Sequence, residues 1–288
     1  MYLAIDIGGS AIKFAYFDDE FNIIKNKSCP TPTDTLENLL IALKENTQDV
    51  EALKGVGIAC PGTVNHDDEK VYFGGALRYL HNVNLKQECE SIFKTEVVIE
   101  NDGKAATLGE MSFGNLNGIR YAMAIILGSG VGGGLVIDSK LVSGKNYFAG
   151  EFSFMSDDGV FNMDQYQSMF GYKGSAVVMV NTIAQQLGIE ANGIEVFKHI
   201  NNGHEEAVAI FEKYCKSIAE KIVNLNYVLD VEKIVIGGGI SEQDIVVSTI
   251  KRYVETLIPS YLFKSPEVVK CKLGSKANLY GAIVPFIK

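Results

Sequence analysis

The sequence predicts an α/β protein built from two related domains, and three observations carry that reading. An apolar strand, a Gly/Ser turn and a second apolar strand ending in Asp occur at 2–18 (YLAIDIGGSAIKFAYFD) and again at 121–138 (YAMAIILGSGVGGGLVID). Three glycine-rich turns follow apolar strands: DIGGSAIK (6–13), LGSGVGGG (127–134) and IGGGI (236–240). Beyond residue 175 the apolar spacing is mostly helical. A repeat about 120 residues long is too large for a solenoid unit. It implies two domains, each opening with a β-hairpin; coincidental hairpin composition is the competing reading.

Taken in order, YLAID and IKFAYFD alternate as β-strands around GGSA, and FNIIKNKSC makes a third strand. Leu36, Leu39, Leu40 and Leu43 share one face of a helix that Asp34 can cap. KGVGIAC is a buried strand ending at a turn, PGTVN. EVVIEND is another, followed by a short helix, GKAATLGEMSFG, that Gly114 can stop. SAVVMVNTIAQQLG and EEAVAIFEKYCKSIAEKIVNLNYVLD are helices. KIVIGGGI is a strand running into a turn, with a helix from about Glu242. EVVKCKL is a strand, and ANLYGAIVPFI closes the chain as a helix broken near Pro285. No Pro- or Ser-rich linker separates the halves. The expected domains are 1–113 with 277–288, and 114–276, meeting along an interdomain cleft with a hinge near 110–120.

Composition excludes several classes. The chain has 288 residues, enough for a real core, and a net charge of −9. A duplex-binding surface needs basic residues to displace counterions, so nucleic acid is not the expected partner. No run of 18 apolar residues exists to span a membrane. MYLAID reads as a strand without the charged start of a signal peptide, and a cytoplasmic location is expected. The five cysteines (29, 60, 89, 215, 271) and four histidines (66, 81, 199, 204) are scattered. Free thiols are expected, rather than a Cys/His metal site.

Glycine turns allow backbone N–H groups to approach phosphate oxygens closely. Neither a Walker A motif nor a Rossmann fingerprint is matched in its strand–turn–helix context. The first two turns lie inside hairpins instead, and with the third they suit a nucleotide held between domains. The nucleotide-binding candidates are therefore Gly8, Gly9, Ser10, Gly128, Ser129, Gly130, Gly132, Gly133, Gly237, Gly238 and Gly239. Asp6 ends the first strand beside the first turn, where it can hold Mg²⁺ directly or through its water shell. Lys13 can relieve phosphate charge; a solvated strand lysine is the plainer reading. Asp102 lies where a buried strand meets a helix N-terminus. It is either an N-cap or the general base that phosphoryl transfer to a hydroxyl requires. Gly62 and Gly75 lie in turn-rich stretches, PGTVN and FGGALRYLHNVNL, where substrate can be read. Asn82 and Asn84 can bond hydroxyls there or simply be turn residues. Glu151 can accept two sugar hydroxyls or be an exposed loop acid.

DIGGSAIK, PGTVN, ENDGKAATLGE, GSGVGGG, AGEFSFM and IGGGI stand in the order seen in ROK sugar kinases, which the chain resembles over essentially its whole length. The resemblance implies two actin-like, ribonuclease H-like α/β domains, with ATP and Mg²⁺ as cofactors. It also implies two phosphate hairpins with IGGGI beside the adenosine, Asp102 as catalytic base, and Asn101 and Glu151 as sugar ligands. The chain departs from the family pattern G-E-x-G-H and its zinc knuckle. Phe154 occupies the His position, no cysteine lies between Cys89 and Cys215, and 156–174 contains no glutamate. Zinc is expected to be absent, and two customary sugar contacts are missing. Phe154 is offered instead as an apolar wall of a roomier pocket. FGGALRYLHNVNL with AGEFSFM is most similar to the β-glucoside kinase branch, which accepts disaccharides.

The expected activity is therefore ATP-dependent phosphorylation, at O6, of a β-glucoside, disaccharide or hexose. The alternatives are a monosaccharide kinase for glucose, fructose or N-acetylmannosamine, and a sugar-sensing regulator. The regulator is disfavoured by the acidic chain and by the absence of a leading helix-turn-helix. A homodimer is expected: the long helices after 175 offer apolar surface, and the resemblance implies it, since ROK proteins are often dimeric.

Overall fold

A computed structural model describes residues 1–48, 53–156, 166–261 and 263–287. Strand β1 (Tyr2–Ile7) turns at Gly8–Ser10 into β2 (Ala11–Phe17), and β3 (Ile23–Pro30) follows. The three pair antiparallel, with Asp6 opposite Lys13. Helix α1 (Leu36–Glu45) buries Leu39 and Leu43. Its cap is Thr35, one residue later than expected: Thr35 Oγ1 accepts from the Asn38 N–H at 3.2 Å, while Asp34 binds the Asn38 side chain.

Strand β4 (Gly55–Cys60) lies parallel to β1. PGTVN is not simply a turn. Thr63–Asn65 forms β5, antiparallel to β6 (Lys70–Tyr72), because Val64 and Val71 are drawn into the core. Helix α2 (Leu85–Phe93) carries a weak sequence signal, since it buries only Leu85 and Cys89. Asn84 caps it, accepting from the Gln87 N–H at 2.9 Å, and so is a structural residue. Asn82 accepts from Lys70 Nζ at 3.1 Å. β7 (Val97–Asn101) runs parallel to β4 and passes directly into α3 (Asp102–Phe113), which stops at Gly114. The sheet order is β3-β2-β1-β4-β7.

The second half begins with the hairpin of β8 (Ala122–Leu127) and β9 (Val131–Ile137), with β10 (Lys140–Leu141) at the edge. Short α4 (Phe170–Lys173) precedes α5 (Ala176–Leu187), α6 (Gly193–Asn201) and the long α7 (Glu205–Leu229). β11 (Lys233–Gly237), α8 (Asp244–Leu257), β12 (Glu267–Lys270) and α9 (Ala277–Ile283) complete it. Sheet order here is β10-β9-β8-β11-β12, with β8, β11 and β12 parallel. Position by position this repeats the first sheet: a hairpin whose first strand sits centrally, then two parallel strands added on its other side. The shared pattern at 2–18 and 121–138 is thus a shared topology.

The described residues form two compact units, Met1–Asn117 with Leu141–Ala149 and Lys276–Lys288, and Gly118–Lys140 with Gly150–Ser275. Unit one therefore runs four residues past the expected boundary at 113 and takes in a segment placed by sequence in the other domain. Buried Lys104 reaches that segment by donating from Nζ to the Tyr147 carbonyl. In unit one, Leu3, Ile5 and Ile7 enter one core, while Ala4, Ala15 and Ala59 face the other side. These alanines leave room for α9, which packs on β1, β4 and α3. Val284–Phe286 is a 3₁₀ turn, so the helix does break at Pro285.

Candidate active site

In unit one the site grows from the junction of β7 and α3. Asn101, not Asp102, caps the helix: its Oδ1 accepts from the Lys104 N–H at 3.0 Å. Its Nδ2 donates to the Gly62 carbonyl at 2.9 Å and to Asp102 Oδ1 at 3.1 Å. Gly62 has φ +95, and a Cβ there would come within 2.6 Å of the Tyr72 carbonyl. Only glycine suits a left-handed backbone pressed this closely. Asp102 is half-buried as the first residue of α3, and its Oδ1 also accepts from the Gly103 N–H at 2.8 Å. Among the described residues nothing hydrogen-bonds Oδ2, which leaves that oxygen to receive a proton.

Burial, and then the negative charge of Asp6, push the Asp102 carboxyl up to about 6, against the pull of its bonds to Gly103 and Asn101. A base poised near neutrality both holds an available lone pair and accepts a proton readily. Asp6 itself is buried at the end of β1, with Oδ1 2.9 Å from Asn278 Nδ2 and Oδ2 3.3 Å from Lys13 Nζ. Its partner Asn278, on α9, has no sequence motif to announce it. The adjoining turn holds Gly8 by an N–H to the Ala11 carbonyl at 3.0 Å and by Thr31 Oγ1 to its carbonyl at 2.7 Å. Gly9 and Ser10 are exposed at its tip. Gly75 has φ +58 and donates its N–H to the Phe73 carbonyl.

Unit two carries the second hairpin. The Gly128 N–H donates to the Gly130 carbonyl at 3.0 Å, and the Gly128 carbonyl accepts from the Ala176 N–H at 2.9 Å. Ser153 braces the same loop: its Oγ accepts from Val131 N–H at 2.9 Å and lies 3.0 Å from the Val131 carbonyl. Ser175 caps α5 at 3.2 Å from Val178 N and sits 3.3 Å from the Gly128 carbonyl, so a helix N-terminus opens beside the loop. Neither serine is marked by a motif. Ser129 is exposed at the tip. Gly132 and Gly133 were expected in the turn; they lie inside β9, opposite Ile126 and Ile125. A Cβ on Gly133 would meet the Ala124 carbonyl and, at 2.7 Å, the Phe152 ring, so this glycine serves packing.

Gly237 ends β11, Gly238 has φ +89 against the Leu127 backbone, and Gly239 opens a 3₁₀ turn, Gly239–Glu242, ahead of α8. Gly239 and Ile240 border a cavity of about 410 Å³ with Ala176, Val180, Asn181, Phe197 and Gln243. Its lining is apolar with two amides and no charge, a size and chemistry that suit an uncharged ring system. Glu151 immediately precedes a 3₁₀ turn, Phe152–Phe154, and its carbonyl accepts from the Phe154 N–H at 3.2 Å. Phe152 is the buried ring; Phe154 stays half-buried. Of the stretch without glutamate, 157–165 lies outside the described residues. Among the described residues no group of three His, Cys, Asp or Glu side chains could hold a metal, and no helix is long and apolar enough to cross a membrane.

Known proteins are similar to this chain over nearly its whole length. The chain is 27% identical to a β-glucoside kinase of Listeria monocytogenes, covering 99% of this chain and 97% of that one. A ROK family glucokinase from Streptomyces griseus, solved with glucose and AMPPNP, superimposes with a TM-score of 0.84 at 26% identity, over 98% of this chain and 97% of its own. A ROK family protein from Streptococcus pneumoniae, solved with sucrose, gives 0.84 at 25% identity, over 99% and 97%. The fold is thus the actin-like fold of the sugar kinases. Since the ROK family profile matches residues 2–288 without interruption, this chain belongs to the ROK family.

Proposed function

We propose that the protein is a cytoplasmic, ATP-dependent sugar kinase that transfers the γ-phosphate to O6 of a β-glucoside or related disaccharide. The observation that carries this reading is Asp102: a carboxylate with one oxygen tied down, the other open, and a pKa raised to about 6. Asp102 Oδ2 removes the proton from the acceptor hydroxyl as that oxygen attacks phosphorus in line. We assign the other sugar hydroxyls to Asn101, held by Gly62, and to Glu151, with Gly75 and Phe154 as further candidate sugar contacts. We assign the phosphates to Gly8–Ser10 and Gly128–Gly130, where exposed turns present backbone N–H groups. The nucleoside goes to the cavity bordered by Gly239.

Mg²⁺ fits this donor set. It takes few protein ligands and keeps water, and buried Asp6 is the acid placed beside the first phosphate turn. Asp6 would hold the ion through water, and the ion supplies charge neutralisation for the phosphate oxygens. Lys13, already paired with Asp6, adds positive charge to the same place. Zinc has no part in this scheme, and metal analysis of the purified protein tests that: stoichiometric zinc would contradict it. A homodimer is part of the proposal and is tested by sedimentation.

The β-glucoside relative and the sucrose complex support the disaccharide acceptor; the glucokinase supports a monosaccharide as the second reading. Asp102→Asn is the direct test of the chemistry. Loss of a positioned general base costs about 10²–10⁴-fold in kcat, with ATP binding retained by calorimetry. Near-wild-type kcat in that variant sinks the mechanism.

A further inference from the structure

Two exposed aromatic side chains stand together in unit one. Phe73 is 57% exposed and Phe148 38%, with ring centroids 6.0 Å apart at 90°. Burying Phe rings is worth so much that two adjacent rings this exposed call for a reason. The backbone adds to this. Phe73 has φ +54 and Tyr147, next to Phe148, has φ +59. A left-handed conformation is unfavourable for bulky residues and tends to persist where a site uses it. Phe73 is held there from both sides: its N–H donates to His81 Nδ1 at 3.3 Å, and its carbonyl accepts from the Gly75 N–H.

Both rings trace back to the first turn of α3. Asn101 Nδ2 holds the Gly62 carbonyl, and a Cβ on Gly62 would strike the backbone of Tyr72 and Gly74, the two neighbours of Phe73. Lys104, two residues after Asp102, holds the Tyr147 carbonyl, one residue before Phe148. The same four-residue stretch, 101–104, that carries the base therefore anchors each aromatic from a different side.

We propose that Phe73 and Phe148 form a subsite for the second ring of a β-linked glucose disaccharide, beyond the ring that is phosphorylated. This rests on the kinase reading given above. A β-glucose ring has its hydroxyls equatorial, so both its faces are apolar C–H surfaces and its rim is polar. An aromatic face, with its negative quadrupole, attracts those C–H groups. Two edge-to-face rings offer one face and one edge, too little for a protein partner, whose interface buries about 800 Å² on each side. His81, 5.7 Å from the Phe73 ring centre, sets a polar group at the rim.

The test compares kcat/KM for cellobiose and gentiobiose with that for glucose in the wild type, Phe148→Ala and Phe73→Gly. Glycine adopts the φ of position 73 without strain, so that variant keeps the backbone. The disaccharide-to-glucose ratio should fall about tenfold in each, mostly through the disaccharide KM. An unmoved ratio in both variants overturns the subsite, as does an unmoved ratio accompanied by a change in sedimentation, which would give the face to a second copy. A wild type that phosphorylates glucose but neither disaccharide also overturns it and leaves the kinase reading intact. A wild type that phosphorylates no sugar removes both.

Discussion

Asn101 donates from Nδ2 to Oδ1 of Asp102 at 3.1 Å while its own Oδ1 caps the helix that Asp102 begins. The neighbour thus performs the local structural task, and the acid is released from it. Had Asp102 been the cap, its carboxylate would have been committed to backbone N–H groups, which stabilise the charged form and lower its pKa.

The pH dependence of turnover follows. Asp102 must be ionised to accept a proton, so kcat/KM should fall on the acid side with an apparent pKa near 6. Asp6→Asn removes a negative charge that raises this value, and it leaves Lys13 uncompensated. The acid limb should move to lower pH in that variant. A limb that stays in place would show that Asp102 is not the titrating group.

Asp102 should also make the fold less stable at neutral pH. Its folded pKa of about 6 lies above the ordinary 3.8, so between those values the folded state keeps a proton that the unfolded chain has released. Stability falls across that window as pH rises, and above 6 the full cost remains, at most about 3 kcal/mol. Asp102→Asn should therefore raise Tm at pH 8 and have little effect at pH 3. A variant that is less stable at pH 8 would contradict this balance.

Ser153 braces the loop of Gly128–Gly130 through its contacts with the Val131 N–H and carbonyl. Ser153→Ala leaves that backbone without its side-chain partner, at about 1 kcal/mol for a bond of this kind. The KM for ATP should rise several-fold, with a smaller change in the KM for sugar. Equal changes in both would point to general loosening instead.

Gly62→Ala places a Cβ within 2.6 Å of the Tyr72 carbonyl at φ +95. Strain of about 1–3 kcal/mol is expected, read as a lower urea midpoint at constant m-value. The sugar KM should rise too, because the Gly62 carbonyl positions Asn101. An unchanged midpoint would mean that the ribbon of β5 and β6 yields at no cost.

Cysteine behaviour separates local from tertiary information in the same way. Scattered positions in the sequence point to thiols outside disulfides, and among the described residues none of the five is disulfide-bonded. Only the folded core explains why burial pushes Cys89 up to about 12 and Cys60 well above the ordinary thiol range.

The sequence by itself determined the α/β class, the duplicated hairpin and the family, and it singled out the ENDGKAATLGE stretch as a candidate, because strand periodicity, glycine turns and ordered motifs are local signals. It also indicated the break at Pro285. What it left open depended on contacts between distant residues. Asp34 and Thr35 are both good caps, and only the chain path chose Thr35. Gly132 and Gly133 look like turn glycines until β9 is paired with β8 and the Phe152 ring closes over one of them. Asn278, Ser153, Lys104 and Phe148 carry no motif; each acquires its place from a partner brought near by folding. Which residue caps α3 was likewise tertiary: it depended on Gly62 holding Asn101 in the capping position, while Asp6 adds its charge beside an Asp102 carboxyl that burial already disfavours as an anion.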